Sequence, residues 1–239
     1  MDERIDEIGF SGYRLIQRPQ DFCYGIDAVL LAAFADVREG GRVCDLGTGT
    51  GVIPLILRHK TKAREIWGVE LQQSAAELAV RTMELNGLAE QIHILHSDVR
   101  AAAQALGACS FDTVVSNPPY VRRGCGMVSE KDAKMIARHE TAADFADFAQ
   151  AACDLLKERG SFYLIHRPAR LAEIISCCTG AGLEPKTLRM VAPRRGEPPN
   201  LLLLHCVKNG GRELTVLPEL AVYGEDDGYS PEILAVYER

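Results

Sequence analysis

The sequence predicts an α/β protein built on a doubly wound, mostly parallel sheet of seven strands. Three observations predict it. Short apolar runs with strand character alternate with helical stretches from residue 42 to residue 178, and that rhythm implies parallel strands joined by crossover helices on both sheet faces. A glycine cluster over 47–51 follows the first run at once, as a sharp strand-to-helix turn demands. Two extended pieces, 187–191 and 201–207, flank a Pro/Arg/Gly loop over 192–200 and read as a C-terminal antiparallel hairpin closing one sheet edge.

The elements follow in order. Residues 12–17 (GYRLIQ) and 21–24 read as short extended pieces separated by a turn at Arg18-Pro19-Gln20. Residues 26–37 (IDAVLLAAFADV) are rich in Ala and Leu, so they predict a largely buried helix stopped by Gly40-Gly41. Residues 42–46 form the first strand, and a helix runs from 52 to 59 after the glycines. The second strand is 66–70 (IWGVE), and a helix over 72–86 stops at Gly87. A third strand over 92–95, a short helix over 101–106 and a fourth strand over 111–116 (FDTVVS) come next. Residues 117–139 break the rhythm with Pro118-Pro119, Gly124, Gly126 and many charges; a long segment at a strand's C-terminal end is usually functional. A helix over 142–157, a fifth strand over 161–166 and a helix over 168–178 restore it.

The 239 residues are 47% hydrophobic and 25% charged, unlike a disordered, collagen-like or fibrous chain. A formal charge of −6 argues at first against a protein that grips nucleic acid over its whole surface. Its distribution reverses that reading: residues 1–8 carry −3 and 213–239 carry −6, which leaves +3 on 9–212. The start, MDERIDEIGF, has neither the basic nor the apolar stretch of a secretory signal. The longest apolar runs, 28–35 and 201–204, fall far short of the ~18 residues of a membrane span. Eight cysteines without a CxxC pair read as reduced, mostly buried thiols of a cytoplasmic protein.

Ligands of doubly wound sheets bind beyond the strands' C-terminal ends. The first end reads DLGTGTG over 45–51. A dinucleotide fingerprint wants a small residue where Val52 stands, and a phosphate loop wants Lys and Ser/Thr where Val52-Ile53-Pro54 stand. What remains is a glycine turn, with Gly47, Gly49 and Gly51, preceded by an acid, Asp45, that suits a ligand bearing an amine or hydroxyls. At the second end Glu70 lies twenty-one residues after Gly49, where a carboxylate can accept from both hydroxyls of a ribose. At the third, Asp98 can accept from an adenine amine or cap the following helix, and both can hold together.

The fourth end is the most specific. Asn117-Pro-Pro-Tyr120 follows the strand FDTVVS directly. Consecutive prolines fix the backbone and remove two N–H donors, so the Asn117 amide oxygen and the Pro118 carbonyl can converge on one NH₂ group. Tyr120 offers a flat face for a planar partner. Metal and nucleophile readings are weak by comparison: His93 and His96 fall on opposite faces of a strand, and Cys125 has no activating His or Asp at motif spacing.

DLGTGTG, Glu70 and NPPY in this order resemble class I S-adenosylmethionine-dependent methyltransferases that modify amino groups. Gln17 with FCYGIDAVLLA over 22–32, Arg138-His-Glu140 and FYLIHRPAR over 162–170 make the chain similar to the valine-tRNA adenine-N6 methyltransferase family over residues 11–208. The resemblance implies a Rossmann-like methyltransferase fold and S-adenosylmethionine held by Tyr24, Asp27, Asp45, Gly47, Thr48, Gly49, Gly51, Glu70, Leu71, Asp98, Val99 and Asn117. It implies a catalytic set of Asn117, Pro118, Pro119 and Tyr120. Asp27 resembles a family residue lying over the cofactor; a plain N-cap of its helix is the equal alternative.

A tRNA substrate needs cationic loops. Residues 118–139 carry +3 and residues 186–212 carry +5, so Arg122, Arg123, Lys134, Arg138, Arg194 and Arg195 are the candidate RNA contacts, with no membrane or metal partner. A solvated charged face is the plain alternative. The domain reading is an N-terminal extension over 1–40 on the cofactor side, a methyltransferase domain over 41–210 and an acidic segment over 211–239. The same NPPY chemistry would serve a protein glutamine-N5 methyltransferase, although only about forty residues precede the glycine loop where those enzymes carry a helical domain. It would also serve an rRNA guanine-N2 methyltransferase. A silent RNA-binding module is the non-enzyme alternative, and an intact Asn117–Tyr120 motif argues against it.

Overall fold

The computed structural model describes residues 3–19, 24–120 and 143–237. In chain order the elements are β1 (Arg4–Glu7), β2 (Arg14–Gln17), α1 (Ile26–Phe34), β3 (Arg42–Leu46), α2 (Val52–Lys60), β4 (Glu65–Glu70) and α3 (Gln73–Leu85). Next come β5 (Ile92–His96), α4 (Ala102–Leu106), β6 (Phe111–Ser116), α5 (Phe145–Leu155), β7 (Leu156–His166) and α6 (Leu171–Gly180). The last are β8 (Leu183–Ala192), β9 (Leu201–Lys208), β10 (Thr215–Val216), β11 (Leu220–Ala221) and α7 (Pro231–Tyr237).

The main sheet runs β10-β8-β9-β7-β6-β3-β4-β5, with β11 also paired to β8. Strands β5, β4, β3, β6 and β7 are parallel, and β9 is antiparallel to both β7 and β8. The order reverses at β3 and β6, so a crevice opens beyond their C-terminal ends, as the switch-point rule requires.

Both faces are buried, which explains the near-continuous apolar runs. Successive residues alternate between two cores, as a period of two dictates. Val43, Val115, Tyr163, Ile165 and Leu203 pack with α1 and α2. Cys44, Val114, Phe162, Leu164, Leu202 and Leu204 pack with α5 and α6 on the other side. The Ala- and Leu-rich run that opens at Ile26 is accordingly a helix whose Ala28, Val29, Leu30, Leu31 and Ala32 are all buried.

Several boundaries differ from the sequence reading. The sheet has nine strands rather than seven, because β10 and β11, two residues each, add to the outer side of β8 in parallel. Runs that short carry no periodicity to read. Strand β2 pairs with β1, in register Arg4 with Gln17, rather than with residues 21–24, of which 21–23 lie outside the described residues. Helix α5 passes directly into β7, which starts at Leu156 instead of 161; Lys157, Glu158 and Arg159 there are polar and hide the strand.

The N-terminal hairpin is fixed to α3 by backbone-to-side-chain bonds. Arg14 N donates to Asn86 Oδ1 at 2.9 Å, Asn86 Nδ2 donates to Arg14 O at 2.7 Å, and Ile16 N donates to Thr82 Oγ1 at 3.2 Å. Buried Gln17 then accepts from Tyr24 N at 3.1 Å and donates to Asp6 at 2.7 Å. The hairpin therefore steers the chain entering α1.

Candidate active site

Parallel register brings the four strand ends to one edge: Leu46 is opposite Val69 and Ser116, and Glu70 is opposite His96. Ser116 Oγ donates to Leu46 O at 2.8 Å in the buried interior, tying β6 to β3 where the site begins.

The glycine turn is shaped by left-handed backbone. Gly49 has φ +57° and Gly51 φ +87°, conformations costly for any residue with a Cβ. The two glycines differ in surroundings. A Cβ at Gly49 would meet nothing within 4 Å, whereas one at Gly51 would stand 2.5 Å from the Met83 side chain. Gly51 serves as the N-cap of α2 and lets α3 approach; Gly49 leaves open room above the turn.

Asp45 is fully buried, and no hydrogen-bond partner among the described residues meets either carboxylate oxygen or the Thr48 hydroxyl. Burial pushes the Asp45 carboxyl up to about 7, and the charge of Glu70 pushes the same way. The Thr48 hydroxyl stands near enough to temper that rise yet falls outside hydrogen-bond geometry. A buried, unpartnered carboxylate is costly, and a ligand donor is what would relieve it. Glu70, also buried, accepts from Gly49 N at 2.9 Å and from Gln72 N at 2.8 Å, one bond to each oxygen. Each oxygen keeps a further lone pair. Leu71 beside it is exposed, with its carbonyl 3.0 Å from His96 Nε2.

Asp98 caps the short 3₁₀ turn Val99–Ala101, accepting from Arg100 N at 2.9 Å. The Arg100 guanidinium also pairs with its carboxylate and holds the acid below the usual carboxylate range. Val99 is buried beneath.

At the fourth end the sequence-predicted residues come together with one from far upstream. Asn117 Nδ2 donates to Asp27 Oδ2 at 2.9 Å. The Tyr120 hydroxyl lies 2.7 Å from Asn117 Oδ1 and 3.3 Å from Asp27 Oδ2, and can donate to either. Asp27 is buried, and its other oxygen accepts from Ala28 N at 3.0 Å. It does not cap α1; Gly25 occupies that position without a side-chain cap. Burial, then the Asp27 charge, pushes the Tyr120 phenol far up, so it stays protonated. Pro118 is buried and Pro119 exposed.

Two residues here went unassigned in the sequence reading. The Arg167 guanidinium lies 5.1 Å over the Tyr120 ring, and the His166 ring packs 4.8 Å from it at a 59° tilt. Thus a neighbouring cation already covers the flat face expected of Tyr120. Burial, then Arg170, pushes His166 down to about 4, so it is neutral, and its Nδ1 accepts from Arg167 N at 2.7 Å. Their position at the C-terminal end of β7 is the signal that could have found them.

The RNA candidates divide. Arg122, Arg123, Lys134 and Arg138 lie outside the described residues, as does Cys125. Arg194 pairs with Asp227 and Glu197 and donates to Gly224 O; Arg189 makes a two-pronged pair with Glu232 at 2.6 and 2.9 Å. Arg195 is exposed. The basic stretch is therefore partly neutralised by the acidic segment that follows it. His93 contacts Trp67 and Glu65, and no metal-holding group occurs among the described residues.

A model of the methyltransferase small domain matches residues 17–173. The chain belongs to the methyltransferase small-domain family. It is an S-adenosylmethionine-dependent methyltransferase. Among its relatives, the tRNA1(Val) (adenine(37)-N6)-methyltransferase of Aeromonas hydrophila is 32% identical over 210 residues, 86% of this chain and 84% of that protein. The protein of the same name from Tolumonas auensis is 29% identical over 224 residues, 92% and 91% of the two chains. The crystal structure of a predicted O-methyltransferase from Agrobacterium tumefaciens matches with a TM-score of 0.72 at 26% identity, over 89% of this chain and 95% of that one.

Proposed function

We propose that this methyltransferase transfers a methyl group to the exocyclic N6 of an adenine in tRNA, the position named for its relatives being adenine 37 of tRNA1(Val). The observation that carries the chemical part is the Asp27–Asn117–Tyr120 network at the end of β6, which supports amine rather than hydroxyl methylation. The relatives' shared name supports the substrate.

The residues fit the donor. Asp45 has two buried, unpartnered oxygens for an ammonium, Glu70 keeps lone pairs for ribose hydroxyls, and Gly47, Thr48 and Gly49 form a turn with open room at Gly49. Tyr24, Leu71, Asp98 and Val99 complete the wall, Leu71 as an apolar face for a base and Asp98 as an acceptor. S-adenosylmethionine, when bound, supplies an electrophilic methyl group on a sulfonium.

The chain's own work is then positional. An adenine amine is a poor nucleophile because its lone pair is delocalised into the ring. Asn117 Oδ1 and the Pro118 carbonyl accept its two hydrogens, turning the lone pair out of the ring plane and favouring the positive charge that develops on nitrogen. No dedicated base is required, since the nitrogen's extra proton leaves to solvent after transfer. Pro118 and Pro119 hold the acceptors' backbone fixed, and Tyr120 packs the base with the ring face turned away from Arg167. A loop nucleotide must be unstacked to enter, at less expense than one in a duplex. Arg195 and the basic residues of 118–139 (Arg122, Arg123, Lys134, Arg138) contact phosphate, and the enzyme works where tRNA is found, in the cytoplasm.

The test is transfer of labelled methyl to total tRNA from a strain lacking the enzyme, followed by digestion to nucleosides. Label in N6-methyladenosine is the expected result; label in methylguanosine, or in protein, overturns it. Asn117→Ala should lower kcat by about 10²-fold or more, the size of losing one aligned polar contact to the reacting group, with cofactor affinity within a few-fold. Normal turnover by that variant would sink the mechanism.

A further inference from the structure

Asn117 has two chemically opposite ends on one planar group. Its oxygen can accept a substrate N–H; its NH₂ would confront that N–H with another donor. A rotation of 180° about the last side-chain bond exchanges the two with almost no change of shape. The reaction therefore needs something that decides which end faces the amine, and the NPPY segment does not supply it.

We infer that Asp27 is that positioning residue. Its carboxylate Oδ2 receives the Asn117 NH₂ at 2.9 Å, and an ionised carboxylate accepts only, so the amide nitrogen is drawn to Asp27 and the oxygen to the other side. The Tyr120 hydroxyl, which can donate or accept and so does not decide, is compatible with that orientation, lying 2.7 Å from Asn117 Oδ1. That oxygen keeps a second lone pair for the substrate. Asp27 is itself held: it is buried, Ala28 N donates to its other oxygen at 3.0 Å, and it sits in the first turn of α1, where negative charge is favoured. The contact spans ninety residues and joins the segment before the glycine turn to the segment after β6. Asp27 touches neither reactant in this role. It acts through Asn117, and the inference rests on the proposed amine chemistry.

Asp27→Asn is the discriminating variant, because it keeps shape and volume while making position 27 able to donate. Two readouts apply to the whole protein. The first needs no substrate: with ¹⁵N-asparagine labelling, the Asn117 side-chain NH₂ is one of four and is assigned by its loss in Asn117→Ala. In the wild type its two protons should be well separated in shift and slow to exchange; in Asp27→Asn they should move toward free-amide positions and exchange at least ten-fold faster. The second is turnover on tRNA: kcat should fall about 30-fold or more, while KM for tRNA and Kd for S-adenosylmethionine stay within three-fold. Asp27→Glu, still acceptor-only, should recover part of kcat, which a purely structural role would not predict.

Unchanged Asn117 amide signals in Asp27→Asn, or kcat within two-fold of wild type, overturn the inference. So does a loss expressed wholly in cofactor Kd, which would make Asp27 a cofactor ligand instead. A wild-type protein inert on tRNA but showing the protected amide overturns the substrate reading and leaves this one standing.

Discussion

The carboxylates of this chain live in two opposite environments. Around the crevice Asp45, Glu70 and, from α1, Asp27 are buried and meet backbone amides, a carboxamide, a phenol hydroxyl or nothing at all, but no cation, whereas the more exposed Asp98 pairs with Arg100. In the terminal segments the acids are more exposed and meet arginines: Glu3 with Arg18 and Arg81, Asp227 with Arg194, Glu232 with Arg189. Taking a charge from water without a counter-ion is costly, so selection tolerates it only where a ligand or a reacting group completes it. Surface pairs are nearly neutral energetically. On the proposed function, the difference between the two regions separates acids placed to serve a ligand or reacting group from acids that tune net charge.

Asp45 gives the sharpest way to break that comparison. Its folded pKa is raised from 3.8 to about 7, so the ligand-free protein is favoured with Asp45 protonated, fully below pH 3.8, and that contribution is lost as pH rises through about 7. An ammonium requires the ionised form. Affinity for S-adenosylmethionine should therefore rise with pH through about 7 and fall again as the ligand's own amine deprotonates near ~8. Calorimetry in buffers of different ionisation enthalpy should show a proton released on binding at pH 6.5. Asp45→Asn should weaken binding by about 10²-fold or more and flatten the pH dependence. Above pH 7 it should stabilise the ligand-free protein by on the order of 1–2 kcal/mol. Unaltered affinity would mean that Asp45 is a strained structural acid.

How much of this was legible in the sequence follows from range. The glycine turn, Glu70 and Asn117–Tyr120 are local patterns, and each fell at the predicted strand end because strand and turn chemistry sit within a few residues of one another. Asp27 could not be assigned its partner that way: as a residue near a helix start it read equally well as a cap, and the bond to Asn117 crosses ninety positions. The +5 counted over 186–212 misses Glu232 and Asp227 for the same reason, since they meet Arg189 and Arg194 from 43 and 33 residues on. The short β10 and β11 exist only through pairing with β8. Tyr120 stands out within its motif, but what covers its ring, Arg167, comes from another strand end.

Next in size is a contrast within the glycine turn. Both Gly49 and Gly51 have left-handed backbone, yet only Gly51 lacks room. Gly51→Ala adds backbone strain of about 1–2 kcal/mol and makes the buried Met83 methyl shift against Ala79, and should destabilise the fold by about 2 kcal/mol in all. Gly49→Ala should lose only about 1–2 kcal/mol while reducing cofactor affinity disproportionately, because its methyl enters the open room. Urea unfolding and cofactor titration on both variants read the two quantities separately. Equal ratios of stability to affinity loss would show that the turn does not face the cofactor.

The smallest expected effect tests the other side of the comparison, where acids meet arginines. Arg194 is neutralised by Asp227 and Glu197 and lies 5.7 Å over the Tyr223 ring; Arg195, its neighbour, is exposed and meets no acid among the described residues. A phosphate must displace existing partners to reach Arg194 but not Arg195. Arg194→Ala should therefore change tRNA affinity less than two-fold and stability by no more than about 1 kcal/mol, an effect that fades in high salt. Arg195→Ala should weaken tRNA binding several-fold and reduce the slope of log K against log salt by about one counterion. If Arg194 proves the stronger contributor, the acidic segment must leave the loop when RNA binds, and its pairing would compete with substrate rather than set net charge.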